Sequence, residues 1–283
     1  MIEVLTSGFY TSIQDLGREH YQQYGVPFSG VMDRTSALMA NKFLKNKRED
    51  ALLEITMTGP KLRFNQSTKI CITGADMQAQ INSNPIDLNK VHIISVGDVL
   101  SFGRLQYGFR TYLAVAGGIQ SKLVLGSRSW YVPVTKKGVI KKGELLAIVD
   151  TKTNEEHQHS ILKMDSNHFT TTYIDVYKGP EFDLLPKVYQ QKLFEGSFTI
   201  SKCNNRMAYQ LDSLINANVP SIITSLVLPG TVQLTPAGKL IILMRDGQTT
   251  GGYARVLQLS ENAINVLSQK FTGSEIVFVL KSN

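Results

Sequence analysis

The sequence predicts a mainly β protein built from two domains. Short apolar stretches recur along the 283-residue chain. Gly, Asn and Pro separate them at spacings of about 8 to 12 residues, which is typical of sandwiches and barrels. The length suits two domains of ordinary size or one large β domain. Each half also has strand segments closed by a Gly-Pro pair, Gly59-Pro60 and Gly179-Pro180, which favours two domains.

In the first half, the predicted strands are runs of apolar or alternating residues that end at turn-forming residues. In chain order they are 3–5, 52–58, 61–64, 69–73, 78–81, 85–87, 92–96, 99–102, 110–115 and 144–149. The segment 11–34 has little periodicity and is predicted to be irregular. The lysine-rich segment 134–143 reads as an exposed hairpin or loop.

In the second half, the same pattern continues after a polar stretch, 152–167, which is the best linker candidate. The predicted strands are 173–177, 197–201, 225–228, 232–234, 240–244, 255–259 and 275–280. Three short helices are expected, at 36–44, 186–194 and 264–269. The first carries an apolar stripe and can be capped by Asp33 or Thr35. The histidines of the linker, His157 and His159, lack a partner spacing typical of a metal site.

Composition excludes several classes of function. The net charge of +7 comes from scattered lysines, and no nucleic-acid-binding motif is present, so we expect no nucleic-acid partner. No apolar run approaches about 18 residues and the N-terminus lacks a signal-peptide pattern, so we expect a cytoplasmic protein without a membrane partner. Cys71 and Cys203 form no disulfide or metal framework, and we expect no protein metal site. The phosphate-binding and nucleophile-elbow motifs are absent.

The irregular segment 11–34 is the first candidate site. Arg18 and Arg34 lie near the carboxylates Asp15 and Asp33 in this segment. One interpretation is a set of internal ion pairs that hold the loop. The other is a pair of guanidinium groups held ready for an anionic substrate. Both remain open, and they are compatible.

The second candidate is the polar break after the apolar run 240–244. Residues 245–253 read RDGQTTGGY, and paired glycines allow the backbone to approach a bound group. Side chains of Gln248, Thr249 and Thr250 could then meet carboxylate or phosphate oxygens. The alternative is a long hairpin connection, with 255–259 as the return strand.

Two smaller polar turns also contain an arginine. Ser127, Arg128 and Ser129 follow a strand and form either an oxyanion site or a plain turn. Arg206 lies near Asp212 and is either ion-paired or a substrate clamp. If the polar loops of both domains face one cleft, these segments would share one ligand site.

The signatures of the carboxyltransferase-domain family are similar to seven stretches of this chain. They are TSIQDLGREHYQQYGVPFSGVMDRTSALMANKFLKN, LEITMTGPKLRF, ITGADM, YLAVAGG, LGSRS, NRMAYQLDS and LIILMRDGQTTGGYARV. They occur in the family's order and cover nearly the whole chain. The family includes the C subunit of 5-oxoprolinase, the antagonist of a sporulation-kinase inhibitor, and a domain of urea amidolyase.

The resemblance implies two cyclophilin-like β-barrel domains, which we place at residues 1–165 and 166–283. It further implies a hydrolase component, the C subunit of an ATP-dependent 5-oxoprolinase, with ATP and Mg²⁺ as cofactors. A companion B subunit would help it to activate 5-oxoproline by phosphorylation, and the third, or A, subunit would open the ring to glutamate. The catalytic residues implied are Asp15, Arg18, Arg206 and Gln248. The substrate-binding residues implied are Gln14, Arg34, Ser127, Arg128, Asp246, Thr249, Thr250 and Tyr253.

Two other functions are compatible with the resemblance. One is a regulatory module that binds and antagonises its companion without catalysis. The other is a urea- or allophanate-type carboxyltransferase unit, which requires a biotin carrier. The sequence departs from the family pattern at Gly247, Ala254, Ala208, Gln210 and Ser213, and 130–144 replaces a glycine-rich segment.

Overall fold

The computed structural model describes residues 1–150, 165–217 and 219–281. In these ranges the chain is mainly β, with four short α-helices, which confirms the predicted fold class. The helices are α1 (Arg34–Phe43), α2 (Asn167–Thr170), α3 (Lys187–Glu195) and α4 (Glu261–Ser268). The chain divides into two compact units, Met1–Arg18 with Ser29–Phe169, and Glu19–Phe28 with Thr170–Asn283. The domain limits at 165 and 166 stay a prediction.

The first unit contains two antiparallel sheets. Its strands are β1 (Ile2–Thr6), β2 (Tyr10–Gln14), β3 (Leu52–Thr56), β4 (Lys61–Phe64), β5 (Thr68–Asp76), β6 (Gln80–Ile81), β7 (Asn84–Pro85), β8 (Val91–Ile94), β9 (Val99–Ser101), β10 (Tyr107–Val115) and β11 (Leu145–Leu146). One sheet has the order β11-β1-β4-β9-β6-β7, and the other has the order β2-β3-β10-β5-β8.

The core of the first unit is apolar and includes residues from both sheets. Its buried members include Ile2, Val4, Ile13, Leu53, Ile55, Leu62, Phe64, Ile72, Leu100 and Leu113. In β4 the sequence KLRF alternates, so that Lys61 and Arg63 are exposed while their apolar neighbours are buried. Each buried Leu, Ile or Phe contributes about 1.5–3 kcal/mol relative to an exposed one, so this alternation determines which face of the strand packs inward.

Helix α1 packs on the second sheet through small residues. Ala37 and Ala40 belong to a cluster with Leu52 and Tyr112. The helix begins at Arg34 because the Asp33 carboxylate accepts a hydrogen bond from the Ser36 N–H at 3.1 Å. This is one of the two caps that the sequence offered.

The second unit contains a closed seven-stranded barrel in the order β12-β19-β16-β17-β14-β13-β20. Its strands are β12 (Tyr173–Lys178), β13 (Phe198–Asn204), β14 (Ala208–Leu214), β15 (Ser225–Leu226), β16 (Thr231–Leu234), β17 (Lys239–Leu243), β18 (Thr250–Gly251), β19 (Ala254–Leu259) and β20 (Glu275–Leu280). Strands β15 and β18 form a separate two-stranded ribbon. The rings of Phe198 and Phe278, both buried, lie 5.3 Å apart.

Two strands of five or more residues were missed by the sequence analysis. Strand β2 lies in the segment 11–34 that was predicted to be irregular, and it pairs with β3 over its whole length. Strand β14 occupies part of the segment after Asn204 that was predicted to be a polar turn. Strand β2 is rich in polar residues and shows no apolar alternation, whereas β14 alternates only over 209–212 before Ser213 and an exposed Leu214.

The hairpin interpretation of residues 245–253 is wrong. Strand β17 pairs with one edge of β16, and β19 pairs with its other edge. The connection therefore crosses from one side of β16 to the other, whereas a hairpin loop joins two strands that pair directly. A crossover leaves a longer loop at the end of the barrel, and it contains the short strand β18.

Candidate functional site

The buried carboxylate of Asp15 organises the polar cluster of the first unit. Its Oδ1 accepts hydrogen bonds from the hydroxyls of Ser127 and Ser129, both at 2.6 Å, and from the Gly17 N–H at 2.8 Å. Its Oδ2 accepts from the Arg128 N–H at 2.6 Å. Asp15 is 7% exposed. One carboxylate thus joins the end of β2 to the turn at 127–129, more than 110 residues away.

The same cluster depends on two glycines for close backbone packing. The Val31 N–H donates to the Asp15 carbonyl at 2.9 Å. A Cβ on Gly30 would lie 2.7 Å from the Gly17 nitrogen, which no side chain tolerates. Both glycines have positive φ, +83° and +100°. The segments 15–18 and 29–31 therefore lie backbone against backbone.

The three arginines predicted in this unit are held by oxygen atoms. Arg18 is 1% exposed and donates to the Ser129 carbonyl. Arg34 Nη2 donates to the Leu16 carbonyl at 3.1 Å. The guanidinium of Arg128 donates to the carbonyl of Ser121 and to the side chain of Gln120. The contacts described for Asp15 come from hydroxyls and backbone N–H groups, and the interpretation of internal ion pairs in this segment stays a prediction.

Two buried oxygens near this cluster lack a hydrogen-bond partner in the described part of the chain. Gln14 is fully buried, and its Nε2 donates to Ser12 at 3.0 Å and to the Trp130 carbonyl at 3.1 Å, while its Oε1 accepts nothing. Ser29 is also fully buried, with φ +56° and an unpartnered hydroxyl. Such groups cost stability, and in native proteins they are uncommon outside sites with a ligand or ordered water.

A second buried network in the first unit surrounds Asp33, which the sequence analysis treated as a partner for arginine. Its Oδ2 accepts from the Ser36 hydroxyl at 2.6 Å and lies 2.7 Å from His168 Nε2. The Asp33 N–H donates to the Tyr112 hydroxyl, which donates in turn to Glu54. Burial raises the pKa of Tyr112, and the Glu54 and Asp33 carboxylates raise it further.

His168 follows the predicted linker 152–167 and was not among the predicted site residues. Its side chain is buried, at 9% exposure for the residue, and contacts Asp33. The partners are 135 positions apart, so no local pattern could predict the contact. Residues His157 and His159 lie outside the described residues.

In the second unit, Arg206 and Asp246 form a buried two-pronged ion pair. Arg206 Nε donates to Asp246 Oδ2 at 2.8 Å, and Nη2 donates to Oδ1 at 3.2 Å. The Asp246 N–H also donates to the Arg206 carbonyl at 2.9 Å. Asp212, which the sequence placed near Arg206, is exposed on β14. The pair fixes the start of the 245–253 loop to the turn before β14.

The rest of the 245–253 loop is held by its backbone, so that several polar side chains are displayed. The Val227 N–H donates to the Thr249 carbonyl, and β18 pairs with β15. Thr249 is buried, whereas Gln248, Thr250 and Tyr253 are exposed. The loop therefore has a backbone held by hydrogen bonds and displays accessible amide and hydroxyl groups, as a ligand-binding loop requires.

The predicted site residues thus form two groups, one in each unit. Around the end of β2 the structure brings together Gln14, Asp15, Arg18, Arg34, Ser127 and Arg128. The other group consists of Arg206, Asp246, Gln248, Thr249, Thr250 and Tyr253. That the two groups share one ligand site stays a prediction, as do the catalytic and binding roles of their members.

Metal-ligand clusters and membrane-spanning helices are both absent from the described residues. Within 1–150, 165–217 and 219–281, no group of three or more His, Cys, Asp or Glu side chains is placed to hold a metal ion. In the same ranges, no helix has the length and apolar character needed to cross a membrane.

Comparison with known proteins agrees with this arrangement of strands and loops. The family model described as carboxyltransferase domain, subdomain A and B, matches residues 24–280. The chain belongs to the carboxyltransferase-domain family. The match includes the 245–253 loop and the 127–129 turn, so both groups of candidate residues contain positions within the family's shared region.

Relatives of this carboxyltransferase-domain chain include two bacterial proteins of similar length. The C subunit of 5-oxoprolinase from Escherichia coli (strain K12) is 30% identical over 285 residues, which cover 99% of this chain and 91% of the relative. The protein of the same name from Haemophilus influenzae is 27% identical over 284 residues, which cover 98% of this chain and 90% of the relative.

A solved structure, that of K. lactis urea amidolyase, has the same fold. It is 27% identical, with a TM-score of 0.89, and the match covers 99% of this chain. This chain spans only 19% of that protein, so the similarity concerns one part of a much longer polypeptide.

Proposed function

We propose that this chain is the C subunit of an ATP-dependent 5-oxoprolinase. The observation that carries the proposal is the similarity along both chains to the E. coli protein of that name, at 30% identity over 99% of this chain and 91% of that one. In this proposal the chain is one part of a hetero-oligomeric hydrolase in the cytoplasm. It acts with two partners, the B subunit as its companion and the A subunit, which opens the ring.

The chemistry explains why ATP is needed. The carbonyl of an unstrained amide ring is a poor electrophile. Transfer of a phosphoryl group from ATP to that oxygen breaks the bond between the β–γ bridging oxygen and the γ-phosphorus and creates a good leaving group. The B and C subunits would perform this activation, and the A subunit would complete the ring opening to glutamate. The contribution of the protein is positioning and stabilisation of charge.

In the second unit we assign substrate contacts to the 245–253 loop. The exposed side chains of Gln248, Thr250 and Tyr253 offer N–H and O–H donors to the oxygens of 5-oxoproline. The buried pair of Arg206 and Asp246 would hold this loop in place. Removing one member of a buried ion pair costs about 3–5 kcal/mol because the other charge stays buried without a partner, so a change at either residue should disturb the loop.

In the first unit we assign the arginines to anionic groups. A guanidinium offers five N–H donors in a plane that suits phosphate and carboxylate oxygens. Arg18, Arg34 and Arg128 each donate to an oxygen of their own unit, which would hold each group in one orientation. Magnesium that accompanies ATP usually keeps several waters and is bound through phosphate oxygens and one or two carboxylates, so we assign it to the nucleotide.

The test is reconstitution of the complex. The chain is co-purified with the proteins encoded beside it, and glutamate and ADP are measured after addition of 5-oxoproline, ATP and Mg²⁺. We expect both products at equal rates, and neither when this chain is omitted. Tight association without ATP hydrolysis or glutamate release would contradict the proposal and would favour a regulatory binding module.

A carboxyl-transfer function is the second candidate. It is favoured by the similarity in fold to K. lactis urea amidolyase, with a TM-score of 0.89. It predicts transfer of a carboxyl group from a biotinylated carrier to urea or a related amide. Incubating the purified chain with a carboxybiotin carrier and urea, and measuring loss of the carboxyl group from the carrier, separates the two candidates, since a component of 5-oxoprolinase would leave the carrier unchanged.

A further inference from the structure

Gln233 is a buried amide that the sequence analysis did not select. It lies on β16, between β17 and β19 in the barrel, and is 1% exposed. Its Nε2 atom is buried and has no hydrogen-bond partner among the described residues. A buried N–H donor without a hydrogen-bond partner costs free energy, and in native proteins such groups usually meet a ligand or an ordered water.

The amide of Gln233 lies against the 245–253 loop at Gly251. A Cβ added to Gly251 would be 2.5 Å from Gln233 Nε2 and 3.2 Å from Gln248 Nε2. The absence of a side chain at Gly251 therefore gives both amides access to the same small volume. The two nitrogens are near enough for a single oxygen to accept a hydrogen bond from each at ordinary lengths.

A neighbouring glutamine provides the contrast. Gln258 on β19 is partly buried, and its amide is satisfied within the barrel. Its Nε2 donates to the Pro229 carbonyl at 2.9 Å, and its Oε1 accepts from the Thr231 hydroxyl at 2.8 Å. Gln258 thus has the contacts of a structural glutamine. Gln233 lacks them on its donor side, although it lies on the adjacent strand.

The charge near Gln233 indicates which ligand oxygen suits it. Arg255 lies opposite Gln233 on β19, but its guanidinium binds Glu181, with Nε at 2.9 Å and Nη2 at 2.8 Å from the carboxylate. The three atoms nearest to the Cβ position of Gly251 belong to the neutral amides of Gln233 and Gln248. Neutral donors suit a carbonyl oxygen, whereas phosphate oxygens are usually met by cations or by several backbone N–H groups.

We propose that Gln233 is a further substrate-binding residue, and that its carboxamide and that of Gln248 donate to one carbonyl oxygen of an amide substrate held at Gly251. The proposal rests on the proposed function, in which this substrate is 5-oxoproline. Gln248 is exposed and forms the accessible side of the subsite, and Gln233 forms its inner side. The subsite would orient the lactam carbonyl towards the phosphoryl group it receives.

The first test compares Gln233→Met with Gln258→Met in the reconstituted complex. Because Nε2 of Gln233 has no described partner, Gln233→Met should leave the melting temperature unchanged or raise it, while KM for 5-oxoproline rises about five- to tenfold. Gln258→Met should lower the melting temperature and leave KM unchanged. Gly251→Ala places a methyl group 2.5 Å from the Gln233 amide and should raise KM in the same way as Gln233→Met.

The outcomes separate this proposal from the proposed function. If the wild-type complex releases glutamate and Gln233→Met has the wild-type KM, the inference is overturned and the function stands. The inference is also overturned if Gln233→Met lowers the melting temperature as much as Gln258→Met, because Gln233 would then be structural. If the wild-type complex shows no turnover, the proposed function fails and the inference is tested by binding.

The binding test observes the side-chain amide signals of glutamine in the ¹⁵N-labelled chain within the complex. The probes are 5-oxoproline, urea and bicarbonate, which all present a carbonyl-type oxygen. A saturable shift of the Gln233 signal with any probe, assigned by its loss in Gln233→Met, supports the subsite even without turnover. Unchanged Gln233 signals with all three probes would overturn it.

Discussion

Replacement of Asp15 by asparagine tests whether one carboxylate holds the polar cluster of the first unit. Asparagine has nearly the same shape but carries no charge and has only one acceptor oxygen. Three donors converge on Asp15 Oδ1, and the Arg128 N–H donates to Oδ2 at 2.6 Å. If the amide oxygen faces the three donors, the amide nitrogen must face the Arg128 N–H, and two donors oppose each other.

The expected loss of stability in Asp15→Asn follows from these four hydrogen bonds. A hydrogen bond to a charged group contributes about 1.5–3 kcal/mol, and an unsatisfied buried donor costs about 1–3 kcal/mol. The three bonds retained at Oδ1 weaken because they lose the charge that assists them. We therefore expect Asp15→Asn to lower the free energy of unfolding by about 3–5 kcal/mol. Ser127→Ala removes a single hydroxyl donor and should cost about 1–2 kcal/mol.

The assay is urea denaturation at neutral pH, with the midpoint and slope compared among variants. Asp212→Asn is the matched control, because Asp212 is exposed on β14 and should change stability by less than about 0.5 kcal/mol. A loss for Asp15→Asn no larger than that of the control would refute the reasoning. A variant of wild-type stability that nevertheless loses activity would instead support the predicted catalytic role of Asp15.

Two further predictions concern titratable groups. Burial raises the pKa of the Cys71 thiol to about 12, whereas Cys203 is exposed. An aromatic disulfide reagent should therefore titrate one thiol in the native protein and a second only after unfolding, and two rapid thiols would contradict this. The hydrogen bonds from Arg255 lower the pKa of Glu181. Their stabilisation is present above the usual glutamate pKa and disappears as pH falls through the lowered value. Glu181→Gln should therefore lower the free energy of unfolding by about 1–2 kcal/mol at pH 7, which is less than for a fully buried pair because both side chains retain solvent contact. The difference in stability between the variant and the wild type should shrink below about pH 4. Thermal unfolding of both proteins across this pH range measures the difference in stability. A difference that does not change with pH would contradict the role of the Glu181 carboxylate.

The regular elements could be predicted where local physics and tertiary packing agree. Strand β4 alternates between charged and apolar residues, so its four-residue sequence, KLRF, is enough to predict which side chains are buried. Helix α1 carries small and apolar residues at helical spacing and has a capping aspartate, and the predicted range differs from the observed one by two residues or fewer at each end. Patterns of this kind depend on neighbours along the chain, and a single sequence contains them.

Polar strands could not be predicted by the same rule. Strand β2 reads YTSIQ and is buried from Thr11 to Gln14 although most of these residues are polar. Burial of such side chains becomes possible only when distant groups provide hydrogen bonds. Gln14, for example, donates to the carbonyl of Trp130, which is 116 positions away. A local pattern holds no information about that partner.

The pairing of strands was equally beyond local inference. Residues 245–253 have the glycines and polar residues of a hairpin loop, yet they cross from β17 to β19 over the end of β16. A hairpin loop and a crossover loop can contain the same turn residues. These residues determine how sharply the backbone bends, but they do not determine which strands pair on either side of the loop. The crossover brings Gly251 beside Gln233, a contact between segments that look unrelated in the sequence.

The positions that the sequence rules fail to predict include buried polar side chains. Sequence rules assume that buried positions are apolar and that polar positions are exposed. Gln14, Ser29 and Gln233 break that rule, and each also has a buried polar atom without a partner in the described chain. A polar group that is buried and satisfied can be explained by folding alone, whereas an unsatisfied one lowers stability and has to be retained for another reason. Because the two features coincide at Gln14 on β2 and at Gln233 on β16, beside segments that the family resemblance selects, we expect a ligand near both residues.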